Sequence, residues 1–402
     1  MAPTLCTITS LTREVFLTLY NTDVPYIALL ISFFVYLTIG SPAMAITDPL
    51  AVPNNKIGIH ILFPSEIDTA SKIVNHANRG SWGYVTVPIQ ASDRDRVKWQ
   101  AFFDQCKQDK IIPIVRVATV PDGSNWEQPN NFDLIDFANF LGDLTWPTEN
   151  RYVVIFNEVN RSDEFGGYVS PETYSDILSN AVDIFKNKSS DFFILPAGLD
   201  NAATNSKTSL NWRLYLERMY LRHPDIFNKI DGWTSHAYPN PGFSAKPNQS
   251  GFNKIDSFRS DLKFIHLFTT KKLPVFITET GWSSQSLSEQ QISLYYQYAL
   301  THQWTDSDIV AITPFLLNAQ DGPFTQFSFT KADGTFKEFA QTLGSYATEG
   351  SPVLAPVVLP QIEVATESSA PSSSPIPGSG NSLNLLKSLY NSFMSLIGII
   401  GK

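Results

Sequence analysis

Cysteine is nearly missing from this chain. Cys6 and Cys106 are the two in 402 residues, and Cys6 precedes an apolar N-terminal run, so no disulfide framework is available to hold a fold together. That scarcity does not assign the chain to the cytoplasm, because a chain this long buries a core that needs no cross-links. Basic clusters are missing too. Lys and Arg number 29 against 38 Asp and Glu, for a net charge of −9, and no Lys/Arg stripe marks a phosphate-binding face, so nucleic acid is excluded as an expected partner. Strand-end glycine loops for phosphate, a Schiff-base lysine and metal-ligand spacings are also lacking, which argues against a barrel lyase, isomerase or aldolase. His60, His236 and nearby carboxylates match no metal motif. No metal and no cofactor are therefore expected.

What is present is apolar and aromatic. Residues of the hydrophobic class make up 43% and aromatics 13%, including eight Trp and fifteen Tyr, which suits both a large core and a surface that stacks on sugar rings. Residues 26–40 form an uncharged apolar run followed by Ser41-Pro-Ala-Met-Ala45, whose Ala-x-Ala ending resembles a signal-peptidase site. Residues 1–45 are thus expected to be a signal peptide or membrane anchor, placing the rest outside the cell or on the outer face of a membrane. From 56 to 346, short β-rich runs alternate with amphipathic stretches, the pattern of βα units around a parallel sheet. Eight candidate strands fall at 57–62, 84–89, 112–117, 152–156, 192–196, 232–237, 275–278 and 309–315. Several are continuously apolar, as strands covered on both faces are. The count of eight favours a (β/α)₈ barrel, a fold that commonly takes about 250 residues. Helical spacing shows at 171–186, with Pro near its start, and at 287–302, where Ser288 is the expected cap. Residues 347–382 turn to Ser, Pro and small residues and read as a linker. Residues 383–402 read as an amphipathic helix that lies on a membrane surface or packs on a partner or the barrel.

Two carboxylates stand where an apolar strand gives way to polar loop. The fourth strand ends in Val-Val-Ile-Phe-Asn157-Glu158, and the seventh in Val-Phe-Ile-Thr-Glu279-Thr-Gly-Trp282. Barrel chemistry sits at the C-terminal ends of the strands, and a Glu after four or five apolar residues is costly to place unless paired or functional. Arg116, inside the apolar Ile-Val-Arg-Val of strand three, is positioned to orient a carboxylate or form a structural salt bridge. His236 and Tyr238, two residues apart, share one face if strand six extends that far. Trp126 and Trp282 are candidates for sugar stacking or loop packing.

Asn-Glu closing strand four and Glu closing strand seven resemble the signature of clan A glycoside hydrolases, over about 56–346. The resemblance implies a retaining glycosidase that cleaves a β-glycosidic bond in an oligo- or polysaccharide. Glu158 would be its acid/base, Glu279 its nucleophile and Asn157 the holder of the hydroxyl next to the anomeric carbon. It also implies that Tyr238 donates to Glu279 and that His236 lines the subsite. Glu279-Thr-Gly-Trp282 is similar to the nucleophile segment of plant-type β-1,3-glucanases. One departure stands out: the clan usually has Trp at the end of strand eight, where this chain reads Thr313-Pro-Phe315. The alternative reading is a catalytically silent barrel that binds glycan at the cell surface, which could dispense with one carboxylate.

Overall fold

Runs such as Val-Val-Ile and Val-Phe-Ile have no polar face, so they are stable only where both faces are covered. In the computed structural model, which describes residues 46–75 and 81–356, that covering is a helix outside and the facing strands of a barrel inside. The strands are β1 Gly58–His60, β2 Gly83–Gln90, β3 Ile111–Ala118, β4 Arg151–Ile155, β5 Phe192–Pro196, β6 Trp233–His236, β7 Val275–Glu279 and β8 Ile309–Ile312. All eight candidate strands appear. The first and last are shorter than their apolar runs, because Ile61 and Thr313 already belong to the loops above them.

Parallel ladders join β1 to β5 in sequence order and β6 to β8 likewise. A parallel bridge between Ile57 and Ile312 closes β8 onto β1. On the other side Asp231 N donates to Ile194 O at 2.9 Å, carrying β5 over to β6. Tyr84, Ile114, Tyr152, Phe193 and Phe276 fill the barrel interior. The alternate residues of the same strands, such as Val85, Val115, Val153 and Ile277, face the surrounding helices in a larger outer core.

The longer helices are α1 Ile67–Val74, α2 Arg96–Gln108, α3 Asn131–Gly142, α4 Pro171–Lys188, α5 Trp212–Arg222, α6 Ser257–Ile265, α7 Glu289–Tyr298 and α8 Glu338–Ser345. Their starts follow local chemistry. Ser170 caps α4 ahead of Pro171, and Ser288 caps α7 by accepting from Gln291 N, each satisfying an otherwise orphaned amide. Among the described residues no helix is long and apolar enough to cross a membrane.

The barrel-bound chain is longer at both ends than the expected 56–346. Thr47 N donates to Asn150 Oδ1 at 2.9 Å, and Asn150 Nδ2 donates to Thr47 O and to Tyr152 Oη. Tyr84 Oη donates to Asn54 Oδ1 at 2.6 Å. Glu149 N donates to Val353 O at 2.8 Å, and Ser351 N to Pro53 O at 2.9 Å. The physical reason is polar: tyrosine hydroxyls and loop amides at the N-terminal ends of the strands need partners, and residues 46–55 and 347–356 supply them. The leader 1–45, the rest of the expected linker and the expected helix 383–402 lie outside the described residues.

Candidate active site

Both glutamates reach the cleft through irregular backbone. After Ile155 the chain leaves β4 with Phe156 at φ 68° and Glu158 at φ 33°, a left-handed conformation that costs a non-glycine residue on the order of 1–3 kcal/mol and persists where the surroundings over-determine it. Glu158 N is held by Gly198 O at 3.0 Å. In β7 the interior side is set by Phe276, so strict alternation would turn Glu279 outward with Ile277. A register shift intervenes: Ser235 pairs with Ile277, but the next residue, His236, pairs with Glu279. This bulge re-aims the nucleophile candidate into the barrel mouth, as bulges beside sites do.

The candidate residues then converge. Arg116 Nη1 donates to Asn157 Oδ1 at 2.7 Å and to Glu279 Oε1 at 2.6 Å. Tyr238 Oη donates to Glu279 Oε2 at 3.0 Å. His236 Nδ1 lies 2.9 Å from Glu158 Oε1 and 3.8 Å from Glu279 Oε2, so one ring nitrogen sits between the two carboxyl groups. One ligating atom each from Glu158, His236 and Glu279 fall within 4.8 Å of one another. A cation could be held there, but the Arg116 guanidinium already supplies positive charge at Glu279, so the carboxylate is satisfied without one.

Surroundings separate the two carboxyls electrostatically. Burial pushes the Glu158 pKa up; the hydrogen bond and charge of His236 oppose this without cancelling it, so Glu158 stays raised. Burial also pushes Glu279 up, but His236, Arg116, His60 and the Tyr238 hydroxyl overcome it and hold the pKa at about 2. Burial lowers the His236 pKa, yet the facing Glu279 and Glu158 raise it above the ordinary imidazole value.

Trp126 lies half-buried on a short hairpin, Pro121–Asp122 paired with Asn125–Trp126, in the loop after β3. Trp282 is placed differently. It is 1% exposed, its Nε1 donates to Ala245 O, and its ring packs on Tyr295, Tyr296 and Trp304, so it has no open face for a sugar. Phe315, at the position where the clan usually has Trp, is buried edge-on against His60 with ring centroids 5.1 Å apart.

Three further groups belong to the site. His60, closing β1, places Nε2 3.9 Å from Glu279 Oε1. Arg161 reaches toward Glu158 while pairing with Asp163 and Asp200. Half-buried Glu164 is pushed to about 8 by burial and the Glu158 and Asp163 charges. Histidine closing a strand was the available signal for His60; the other two sit in loop turns whose course no periodicity predicts. Asn160, which with Arg161 and Ser162 spells a glycosylation sequon, is fully buried, with Nδ2 donating to Asp200 O and Leu210 O, which leaves its amide no room for a glycan.

No family model matches the chain, and no curated protein does. Solved structures do. A GH5_18 protein from Bifidobacterium longum subsp. infantis superposes with TM-score 0.53 at 10% identity over 75% of this chain and 81% of that one. Cel5A from Thermotoga maritima, in mutant form with cellobiose substrate, gives 0.50 at 13% identity over 75% of this chain and 100% of that one. The chain spans 64% of the length of a family 39 glycoside hydrolase from Bacteroides cellulosilyticus WH2, with 75% of its own length covered, at 15% identity and TM-score 0.49. The GH5_18 and Cel5A superpositions support the (β/α)₈ barrel fold, which clan A glycoside hydrolases share.

Proposed function

We propose that this barrel is a retaining glycoside hydrolase acting on a β-linked oligo- or polysaccharide, with Glu158 as acid/base and Glu279 as nucleophile. The observation that carries the reading is the meeting of a β4 and a β7 carboxyl around one histidine, His236 Nδ1 lying 2.9 Å from Glu158 Oε1 and 3.8 Å from Glu279 Oε2, in surroundings that raise the Glu158 pKa and lower that of Glu279. Such a split is what an acid and a nucleophile at one bond require. One oxygen of Glu158 and one of Glu279 lie within 4.8 Å of each other, which supports the close-set pair of a retaining enzyme, whose carboxyl groups stand about 5–5.5 Å apart.

In the first step Glu158 protonates the glycosidic oxygen while Glu279 attacks the anomeric carbon; the breaking C–O bond leaves its electron pair on the departing oxygen. In the second, Glu158 takes a proton from water as the water oxygen bonds to that carbon and Glu279 departs as carboxylate. Arg116 and Tyr238 hold Glu279, Asn157 faces the adjacent sugar hydroxyl, and Trp126 offers a ring at the rim. The leader is proposed to send the chain out of the cell or to the outer face of a membrane, with the C-terminal segment touching that surface.

The test is a panel of β-linked polysaccharides and aryl β-glycosides with the product anomer followed by NMR. Initial release of the β-anomer is expected. Initial release of the α-anomer would overturn retention, and glycan binding without turnover would favour the silent, glycan-binding barrel.

A further inference from the structure

A histidine with no exposed surface whose ring nitrogens find no partner needs an explanation. His60 is 0% exposed, and neither Nδ1 nor Nε2 makes a well-formed hydrogen bond among the described residues, the Ile61 backbone giving the ring only a weak one. Its backbone is pinned from both sides, with His60 N donating to Pro314 O and His60 O accepting from Leu317 N, and its ring lies against Phe315. What it faces is Glu279: Nε2 is 3.9 Å from Oε1, the same oxygen that Arg116 holds at 2.6 Å.

The two oxygens of Glu279 lie in different settings. Oε2 takes the Tyr238 hydroxyl and is the one near His236 and hence Glu158. Oε1 points to the closed side, toward Arg116 and His60. Under the glycosidase reading, on which this inference rests, Oε2 forms the bond to the anomeric carbon and Oε1 becomes the carbonyl oxygen of the ester. In the second step the electron pair of the C–Oε2 bond returns to the carboxylate, and charge rebuilds on Oε1.

We propose that His60 is a positioning residue which, with Arg116, forms a buried donor pocket for Oε1 and so makes Glu279 a better leaving group in the second step. The proton is on Nε2, because a bare nitrogen lone pair facing a carboxylate oxygen would be repelled. The imidazole is neutral throughout: burial, and behind it the Arg116 charge, push its pKa down to about 3 against the pull of Glu279 and the Ile61 backbone. A small closure of the 3.9 Å gap completes the hydrogen bond as charge develops. This is donation to a developing oxyanion, with the nucleophile itself as the anion.

The experiment compares wild type, His60→Phe and His60→Gln on a dinitrophenyl β-glycoside, with steady-state kinetics and intact-mass detection of the glycosyl-enzyme. His60→Phe keeps the ring packing and loses the donor. It is expected to lower kcat and KM together by about tenfold, the worth of one hydrogen bond, leaving kcat/KM nearly unchanged while glycosyl-enzyme accumulates. His60→Gln, whose amide reaches the same place, should recover most of kcat. A fall in kcat/KM without accumulation would mark a merely structural role and overturn the inference. On the wild type, long-range ¹H–¹⁵N spectra should show the Nε2–H tautomer unchanged between pH 5 and 8; an Nδ1–H tautomer or a titration there would overturn it even if neither variant folds. A wild type that forms no glycosyl-enzyme on any panel substrate would instead overturn the glycosidase reading and this inference together.

Discussion

Glu158 and Glu279 are chemically identical side chains, so any difference in role comes from their neighbours. Substituting each separately should expose it. Glu158→Ala is expected to keep glycosylation of a dinitrophenyl glycoside, since that leaving group needs little protonation, and to turn over faster with azide, giving a β-glycosyl azide. Glu279→Gln should show neither, and loss of azide rescue in Glu158→Ala would undo the assignment. The pH dependence follows the same split. Activity requires Glu158 protonated, so kcat/KM should fall as pH rises through its raised pKa. Glu279 is depressed in the folded state, so its ionisation adds stability that is complete above about pH 4.5 and is lost as pH falls through about 2. The melting-temperature gap between wild type and Glu279→Gln should therefore narrow across that window, and a gap that widened on acidification would contradict the depressed value. Gly198 matters for space: a Cβ there would lie 2.2 Å from His236 Cδ2 and 2.4 Å from Nε2. Gly198→Ala is expected to push the ring off both carboxyls and reduce kcat/KM by roughly a hundredfold, as a misplacement of about 1 Å can, with little change in fold by circular dichroism. The glutamates were legible in sequence because each breaks an apolar run; Gly198 and the orphaned His60 nitrogens were not, because their meaning depends on a residue from another strand.

At the level of elements, the eight strands could be read because burial on both faces forbids polar residues and leaves an uninterrupted apolar signal. Two helix starts could be read for local reasons, α4 from Pro171 in its first turn and α7 from Ser288, able to accept from an amide three residues on. Ser288→Ala should cost α7 about 1 kcal/mol, measured by denaturant unfolding; no change would mean that packing of the buried Ile292 and Tyr296 alone fixes the start. The β7 bulge could not be read. A one-residue register shift exists only relative to a partner strand, and nothing in Val-Phe-Ile-Thr-Glu reveals that His236 will face Glu279 instead of Thr278. The sequence placed Glu279 at the right strand end without disclosing how it turns inward.

For the molecule as a whole, the polar closure beneath the barrel was the feature hidden in composition: residues 46–55 and 347–356 show no strand or helix period, yet they answer the tyrosines and amides at the strand starts. Trimming the domain from 46–356 to 56–346 should lower its stability by several kcal/mol, on the order of 1 kcal/mol for each lost hydrogen bond plus the penalty for buried groups left unpaired. Thermal unfolding of the two lengths checks this, and equal melting temperatures would show that water replaces the lost partners without cost.

That closure also fixes where the domain can be held. Pro53 and Ser351 are joined by a hydrogen bond, so the incoming and outgoing chains cross side by side at the ends of the strands opposite Glu158 and Glu279. A tether at either terminus, or at both, pulls on one pole, and tension along it loads the seam below the barrel while the mouth stays pointed outward. The chain at Pro53 and at Ser351 is close enough to be spliced by a short loop, so a barrel joined there could be reopened at a surface turn elsewhere and still present the same mouth.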